Sequence, residues 1–314
     1  MPKWIFVFFG FFALFAVAGS SALATANPNT DPTEVAEELL NRGFSYDSRL
    51  VGHFGFDDPP CEMNNVYLLS KDPVTQHQRT ISLHVYRNPD RKTSQSVLIV
   101  PPIGGSNLLD ESFGIDFCRF GIESWVIVEW DKGLVDLPLT TALESQDDAA
   151  RKAVSAIRQI VKRMSGKIGI LGTSAGGLSG AVALAVEPAI RTGFFVVAGA
   201  GMAEILAESN VSTIADIREK RMRKFGWDIS EYKNQVRDRV HIDPLYFGSR
   251  LKRKRVGAVV ALEDESVPSA QQVLFEKVSG AERIAEFKTG HIETIITNGL
   301  LNRYSVIEYF LEHP

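Results

Sequence analysis

Apolar residues fall into short runs along most of this chain, separated by amphipathic stretches and turn-forming segments. Residues 80–86 alternate Ile81, Leu83 and Val85 with Ser82, His84 and Tyr86, the period of two expected of a half-buried strand. Residues 66–69 predict a second strand before it, and 71–79 read as a hairpin-type loop joining the two. The later runs, 96–100, 126–128, 167–171, 194–198, 256–262 and 284–287, are unbroken. Strands covered on both faces read that way. Helical patterns lie between them at 108–120, 147–164, 175–187, 268–279 and 293–311. In the second of these, Ala150, Val154, Ile157, Val161 and Met164 recur every three or four residues, with charge on the opposite face. Eight strands, the last six alternating with helices, predict an α/β fold. Its sheet is mostly parallel, its crossovers right-handed, and helices cover both faces. Residues 46–62, rich in Gly, Asp and Pro, read as coil. Residues 202–250 interrupt the alternation with a long, charged, helical stretch that contains no strand run. The basic cluster at 250–255 reads as solvated surface.

The amino terminus follows another logic. Lys3 is the only charge in residues 1–26, an apolar run occupies 4–18, and small residues fill 19–26. Ala22-x-Ala24 and Ala24-x-Ala26 both fit a signal-cleavage site, so 1–26 reads as a secretory signal and the protein as exported, periplasmic or secreted. The alternative is an uncleaved N-terminal anchor, since 4–26 is about long enough to span a ~30 Å hydrocarbon layer. Beyond Ala26 no stretch predicts a membrane span. Residues 27–33 read as a loose leader, 34–42 as a short helix, and 27–314 as a single domain.

The 314 residues are 45% hydrophobic and 23% charged, which excludes collagen-like, disordered and polytopic membrane classes. Lys+Arg 34 against Asp+Glu 38 gives a net charge of −4, which argues against nucleic acid as a partner. Export permits a disulfide between Cys61 and Cys118, and two half-buried free thiols fit the sequence equally well. Neither Cys has metal-like spacing, and none of the six His pair at i, i+4, so no metal is expected.

One motif carries chemistry. Gly172-Thr173-Ser174-Ala175-Gly176 matches G-x-S-x-G, directly between a predicted strand and a predicted helix. Such a turn forces the serine into strained backbone and presents its hydroxyl at a helix N-terminus. Ser174 therefore reads as a nucleophile, which needs a base and a group to orient that base. His291, in Thr289-Gly290-His291-Ile292, follows the last strand and precedes the final helix. His53, His77 and His84 lie before the motif, His241 in the helical stretch and His313 in the tail. Three carboxylates follow the run at 256–262: Glu263, Asp264 and Glu265. Glu204 and Asp243 are further possibilities. An oxyanion site needs two backbone N–H donors. Ala175 predicts one. The loop Pro101-Pro102-Ile103-Gly104-Gly105-Ser106 predicts the other, with Ile103 first and Gly104 second because Pro102 has no N–H.

Taken together, these residues resemble the α/β-hydrolase fold family, in particular its carboxylesterase and dienelactone-hydrolase-like grouping, over about 66–311. The resemblance implies the chain order Ser174, Asp264, His291. It singles out Asp264, because Asp-x-x-Val-Pro is the form that loop takes in related folds, and His291, because the family's base comes last. It also implies that 202–250 is a cap over the pocket. The chain departs from the family in the oxyanion loop, where Pro101-Pro102 stands instead of the common His-Gly. The implied activity is serine hydrolysis of a small-molecule ester or acyl substrate, without a cofactor. A peptidase or amidase, an acyltransferase and a non-catalytic binding protein on the same scaffold are the alternatives. Substrate identity and oligomeric state are not encoded in any of these motifs.

Overall fold

The structure, a computed structural model, describes residues 46–53, 61–71, 78–91, 93–129 and 142–314, with positions 31 and 34. The signal segment, the leader and the helix read at 34–42 lie outside the described residues apart from those two positions, as does most of the loop at 71–79.

The strands are β1 (Tyr46–His53), β2 (Glu62–Lys71), β3 (Gln78–Arg87), β4 (Gln95–Val100), β5 (Glu123–Glu129), β6 (Lys167–Thr173), β7 (Ile190–Val196), β8 (Arg255–Ala261) and β9 (Glu282–Phe287). They form one sheet in the order β1-β2-β3-β5-β4-β6-β7-β8-β9. The pairs β1–β2, β2–β3 and β3–β5 are antiparallel; every pair from β5 through β9 is parallel. All eight expected strands are present, and β1 is an addition within the segment read as coil. It registers against β2, with Tyr46 opposite Ser70 and Leu50 opposite Val66. Among the described residues β1 pairs only with β2, and its sequence lacks both the unbroken apolar run and the strict alternation that mark a strand.

The described helices are α1 (Leu108–Arg119), α2 (Glu144–Val161), α3 (Ala175–Val186), α4 (Met202–Glu208), α5 (Ser212–Phe225), α6 (Ile229–Arg239), α7 (Gly248–Leu251), α8 (Ser269–Ser279), α9 (His291–Leu301) and α10 (Arg303–Glu312). A 3₁₀ turn spans Pro244–Phe247. The helix expected over 293–311 is two, because Asn302 (φ −108°, ψ 5°) leaves helical geometry between α9 and α10.

Strand periodicity explains the two main cores. Leu98, Ile127, Ile170 and Phe195 point to one face of the sheet, with Ile157 and Ile160 of α2 and Phe275 of α8. Their chain neighbours Val97, Ile99, Val126, Leu171 and Phe194 point to the other, with Phe117 of α1 and Phe310 of α10. A strand with helices on both faces must be apolar at every position, which is why these runs were unbroken.

The segment from α4 through α7 contains no strand among the described residues and has a small core that includes Leu206, Tyr232 and Val236, joined by Leu143 from just before α2. Of the aromatics in this segment, Tyr232 and Phe247 are wholly buried, and Phe225 stacks on Trp227 with ring centroids 4.5 Å apart. In the basic cluster Lys252, Arg253 and Arg255 are exposed. Lys254 instead turns inward and donates to the carbonyls of Ile190 (2.5 Å) and Glu187 (3.2 Å).

Cys61 and Cys118 form a disulfide, with Cα atoms 6.0 Å apart and a separation of 57 positions in sequence. It ties the start of β2 to the end of α1. Closing a loop of that length is worth about 4 kcal/mol in the chain-entropy account. Reduction, or the Cys61→Ser/Cys118→Ser double variant, should lower Tm by on the order of 10 °C. An equal Tm with and without reductant would refute this.

Candidate active site

β6 ends at Thr173 and α3 begins at Ala175, so Ser174 alone makes the turn between them. Its backbone sits at φ 54°, ψ −120°. Such a conformation costs on the order of 1–3 kcal/mol for a residue with a side chain and persists only when its surroundings enforce it. Here the Ser174 N–H donates to Val196 O (2.9 Å), and Ser174 O accepts from the Leu178 N–H (3.1 Å). β4 is the hydrogen-bonded neighbour of β6, with Val100 opposite Gly172. The loop leaving β4 therefore starts against the first turn of α3. A Cβ at Gly176 would lie 2.2 Å from Pro101 O and 2.3 Å from Val100 O, so only glycine permits this approach. In open α/β sheets, a reversal of strand order such as β5-β4-β6 marks the crevice where ligands bind.

The loops after β8 and β9 bring the other two groups to this place. They run side by side: the Leu262 N–H donates to Phe287 O (2.9 Å) and the Glu263 N–H to Thr289 O (3.2 Å). His291 opens α9, and its Nε2 lies 2.9 Å from Ser174 Oγ. Its Nδ1 lies 2.6 Å from Asp264 Oδ2. A carboxylate only accepts, so Nδ1–H is the donor, and Nε2 is left to accept the serine proton. The Asp264 side chain is fully buried and that of His291 is 10% exposed. Asp264 Oδ1 accepts the N–H groups of Ser266 (2.8 Å) and Val267 (2.9 Å).

The loop carrying Ile103 and Gly104 is closed by the Gly105 N–H on Pro102 O (3.4 Å) and by the Ser106 N–H on Val128 O (2.9 Å). Gly105 (φ 98°) lies so close to β5 that a Cβ would fall 2.4 Å from Val128 O. Ile103 is 47% exposed. The loop ends at Asn107, which caps α1 by accepting from the Leu109 and Asp110 N–H groups.

No family model and no curated protein sequence matches the chain. Solved structures do. An acetyl xylan esterase from Paenibacillus sp. R4 superposes with a TM-score of 0.65 at 14% identity, over 89% of this chain and 92% of that one. Acetyl xylan esterase 1 from Thermoanaerobacterium sp. JW/SL YS485 gives 0.61 at 16%, over 87% and 94%. A puromycin-hydrolyzing peptidase from Mycobacterium tuberculosis gives 0.52 at 13%, over 81% of this chain and 46% of that one. The chain has the α/β-hydrolase fold.

Within this α/β-hydrolase fold the remaining candidates have other partners. Glu265 accepts from Asn210 Nδ2 (2.5 Å), and its carbonyl accepts the Asn210 N–H (2.9 Å), which ties the loop of Asp264 to the α4–α5 linker. Glu204 pairs with Arg237 (2.5 Å). The buried Asp243 accepts the N–H groups of Gly201 (3.0 Å), Met202 (2.6 Å) and Leu245 (2.9 Å). Burial still raises its carboxyl above the ordinary range. His241 Nδ1 lies 3.1 Å from Asp147 Oδ2, and His313 Nδ1 lies 3.0 Å from Tyr309 O. His84 Nδ1 lies 3.1 Å from Glu111 Oε2. His53 and His77 lie outside the described side chains. Among the described residues no cluster of His, Cys, Asp and Glu has a metal-binding arrangement.

Two features of the site gave no sequence signal. The first is Gln272, whose Nε2 donates to Asp264 Oδ2 (2.7 Å). It sits eight residues after Asp264 on an ordinary amphipathic helix. The second is the clamp on the loop after β4. Glu111 accepts from Ser106 Oγ (2.9 Å), Tyr86 OH (2.6 Å) and His84. Burial pushes the Glu111 carboxyl up, but the His84, Tyr86 and Ser106 hydrogen bonds outweigh it and hold the group below its ordinary value. The neighbouring Asp110, 4% exposed, goes the other way: burial lifts it to about 7, against the opposing Asn107 N–H.

Two outcomes follow from this geometry. Gly176→Ala should lower stability by at least about 1–3 kcal/mol, because the new methyl group meets backbone carbonyls that cannot move aside. A chemical denaturation curve matching wild type would contradict that. Between the ordinary carboxyl value of 3.8 and about 7, folded Asp110 holds a proton that the unfolded chain has released. Its contribution therefore makes stability fall as pH rises through that window. Asp110→Asn should flatten this part of the Tm–pH curve; an unchanged slope would exclude Asp110 as its source.

Proposed function

We propose that this chain is an exported serine hydrolase that cleaves a carboxylic ester through an acyl-enzyme. The observation that carries the reading is the 2.9 Å separation of His291 Nε2 from Ser174 Oγ, with Asp264 Oδ2 2.6 Å from the other ring nitrogen. Nothing in folding requires a hydroxyl, an imidazole and a buried carboxylate to line up in this way. In the proposed reaction Ser174 Oγ attacks the carbonyl carbon while His291 Nε2 takes its proton. Asp264 holds the imidazole and stabilises the imidazolium. The tetrahedral oxyanion receives the N–H groups of Ala175 and Ile103, the first of them at the positive end of the α3 dipole. His291 then returns the proton to the departing alcohol, and water repeats the sequence on the acyl-enzyme.

Esters are favoured because similar structures include acetyl xylan esterases. Likeness to a puromycin-hydrolyzing peptidase keeps amide cleavage as the second reading. Export is supported by the pattern of residues 1–26 and by the Cys61–Cys118 disulfide, which persists in oxidising compartments. The insertion from α4 to α7 is read as a cap, consistent with its hydrogen bonds to the loop of Asp264.

Ser174→Ala should fold normally, lose labelling by a fluorophosphonate probe, and hydrolyse short-chain p-nitrophenyl esters at least about 10⁴-fold more slowly than wild type. Undiminished ester turnover by that variant would end this reading. Aminoacyl amides cleaved faster than esters would select the second.

A further inference from the structure

We propose that Gln272 is a positioning residue for the Ser174–His291–Asp264 relay, setting both the direction of the Asp264 carboxylate and the charge it offers His291. This inference rests on the serine-hydrolase reading. Gln272 is 1% exposed, and its amide is fully used. Oε1 accepts the Ala261 N–H (3.0 Å), while Nε2 donates to Asp264 Oδ2 (2.7 Å) and to Val267 O (2.8 Å). These partners allow one orientation of the amide. A flipped amide would set N–H against N–H at Ala261 and oxygen against oxygen at Asp264 and Val267.

Ala261 is the last residue of β8. The amide therefore links the sheet itself, through Asp264 and His291, to the hydroxyl of Ser174. The two oxygens of Asp264 are also divided in role. Oδ1 takes two backbone donors from its own loop, and Oδ2 takes Gln272 and His291 together. A donor on Oδ2 draws charge from the oxygen that faces the imidazole. Without it, His291 becomes the only partner of that oxygen among the described residues, and the imidazolium is held more tightly.

The test compares wild type, Gln272→Leu, Gln272→Glu and Ser174→Ala for kcat and KM on p-nitrophenyl acetate across pH, with Tm measured in parallel. Gln272→Leu should lower kcat by roughly tenfold to a hundredfold, the scale found for outer-shell partners. KM should stay within about twofold, and the acidic limb of kcat/KM should move to higher pH. Gln272→Glu keeps the shape of the side chain. While protonated, its carboxyl donates to Asp264 and supports turnover. Once ionised, two carboxylates face one another, and activity should fall on the alkaline side where wild type is level. If Gln272→Leu does not fold, the pH profile of Gln272→Glu decides alone. Wild-type kcat and limbs in both variants would overturn the proposal, as would a rate loss that follows Tm with the limbs unmoved. If Ser174→Ala is inert while the Gln272 variants match wild type, only this inference fails. If Ser174→Ala is active, the serine-hydrolase reading fails and takes this one with it.

Discussion

Ser174 occupies backbone space that a residue with a side chain avoids, and the arrangement of the site follows from how that strain is sustained. The turn cannot relax, because β6 on one side and α3 on the other are both anchored in the core. β7 adds a direct restraint through Val196 O. Gly176 matters for the same reason: it lets the loop after β4 rest on α3 at van der Waals distance, where any side chain would push it away. A hydroxyl held in this way stands clear of the sheet, at the positive end of a helix, beside the loop that carries the Ile103 and Gly104 N–H groups.

Buried carboxylates organise the rest of this edge. Asp264 draws two N–H groups of its own loop around one oxygen. Asp243 gathers Gly201, Met202 and Leu245, and so joins the two ends of the helical insertion where it leaves and rejoins the sheet. Asp147, at the start of α2, accepts the N–H groups of His241 and Ile242 beside it. The half-buried Glu111 does the equivalent for the loop after β4, using side-chain donors. Each carboxylate replaces water with several N–H or O–H donors, which is what makes its burial tolerable. The insertion is thus rooted by charge and hydrogen bonds at its base, and by a small apolar core above.

Two misread elements show where pattern reading reaches its limit. β1 carries neither an unbroken apolar run nor a strict alternation, so its strand character shows only in its pairing with β2. The last helix breaks at Asn302, although the apolar spacing continues through it. Periodicity reports which face is buried, and it says little about the axis turning between one helix and the next.

The alternation of apolar runs with amphipathic helices was enough to specify the α/β class, because burial on two faces forces a distinct composition on each strand. The Gly-x-Ser-x-Gly turn was legible for a related reason: only glycine fits where backbones touch, so the steric demand is written in residue type. The pairing of Cys61 with Cys118 was not legible, nor was the selection of Asp264 from among three adjacent carboxylates by residue type alone. Both depend on distances between segments far apart in the chain. Gln272 is the clearest case. A glutamine on a helix carries no mark of function until the fold sets its oxygen against the end of β8 and its nitrogen against a buried aspartate.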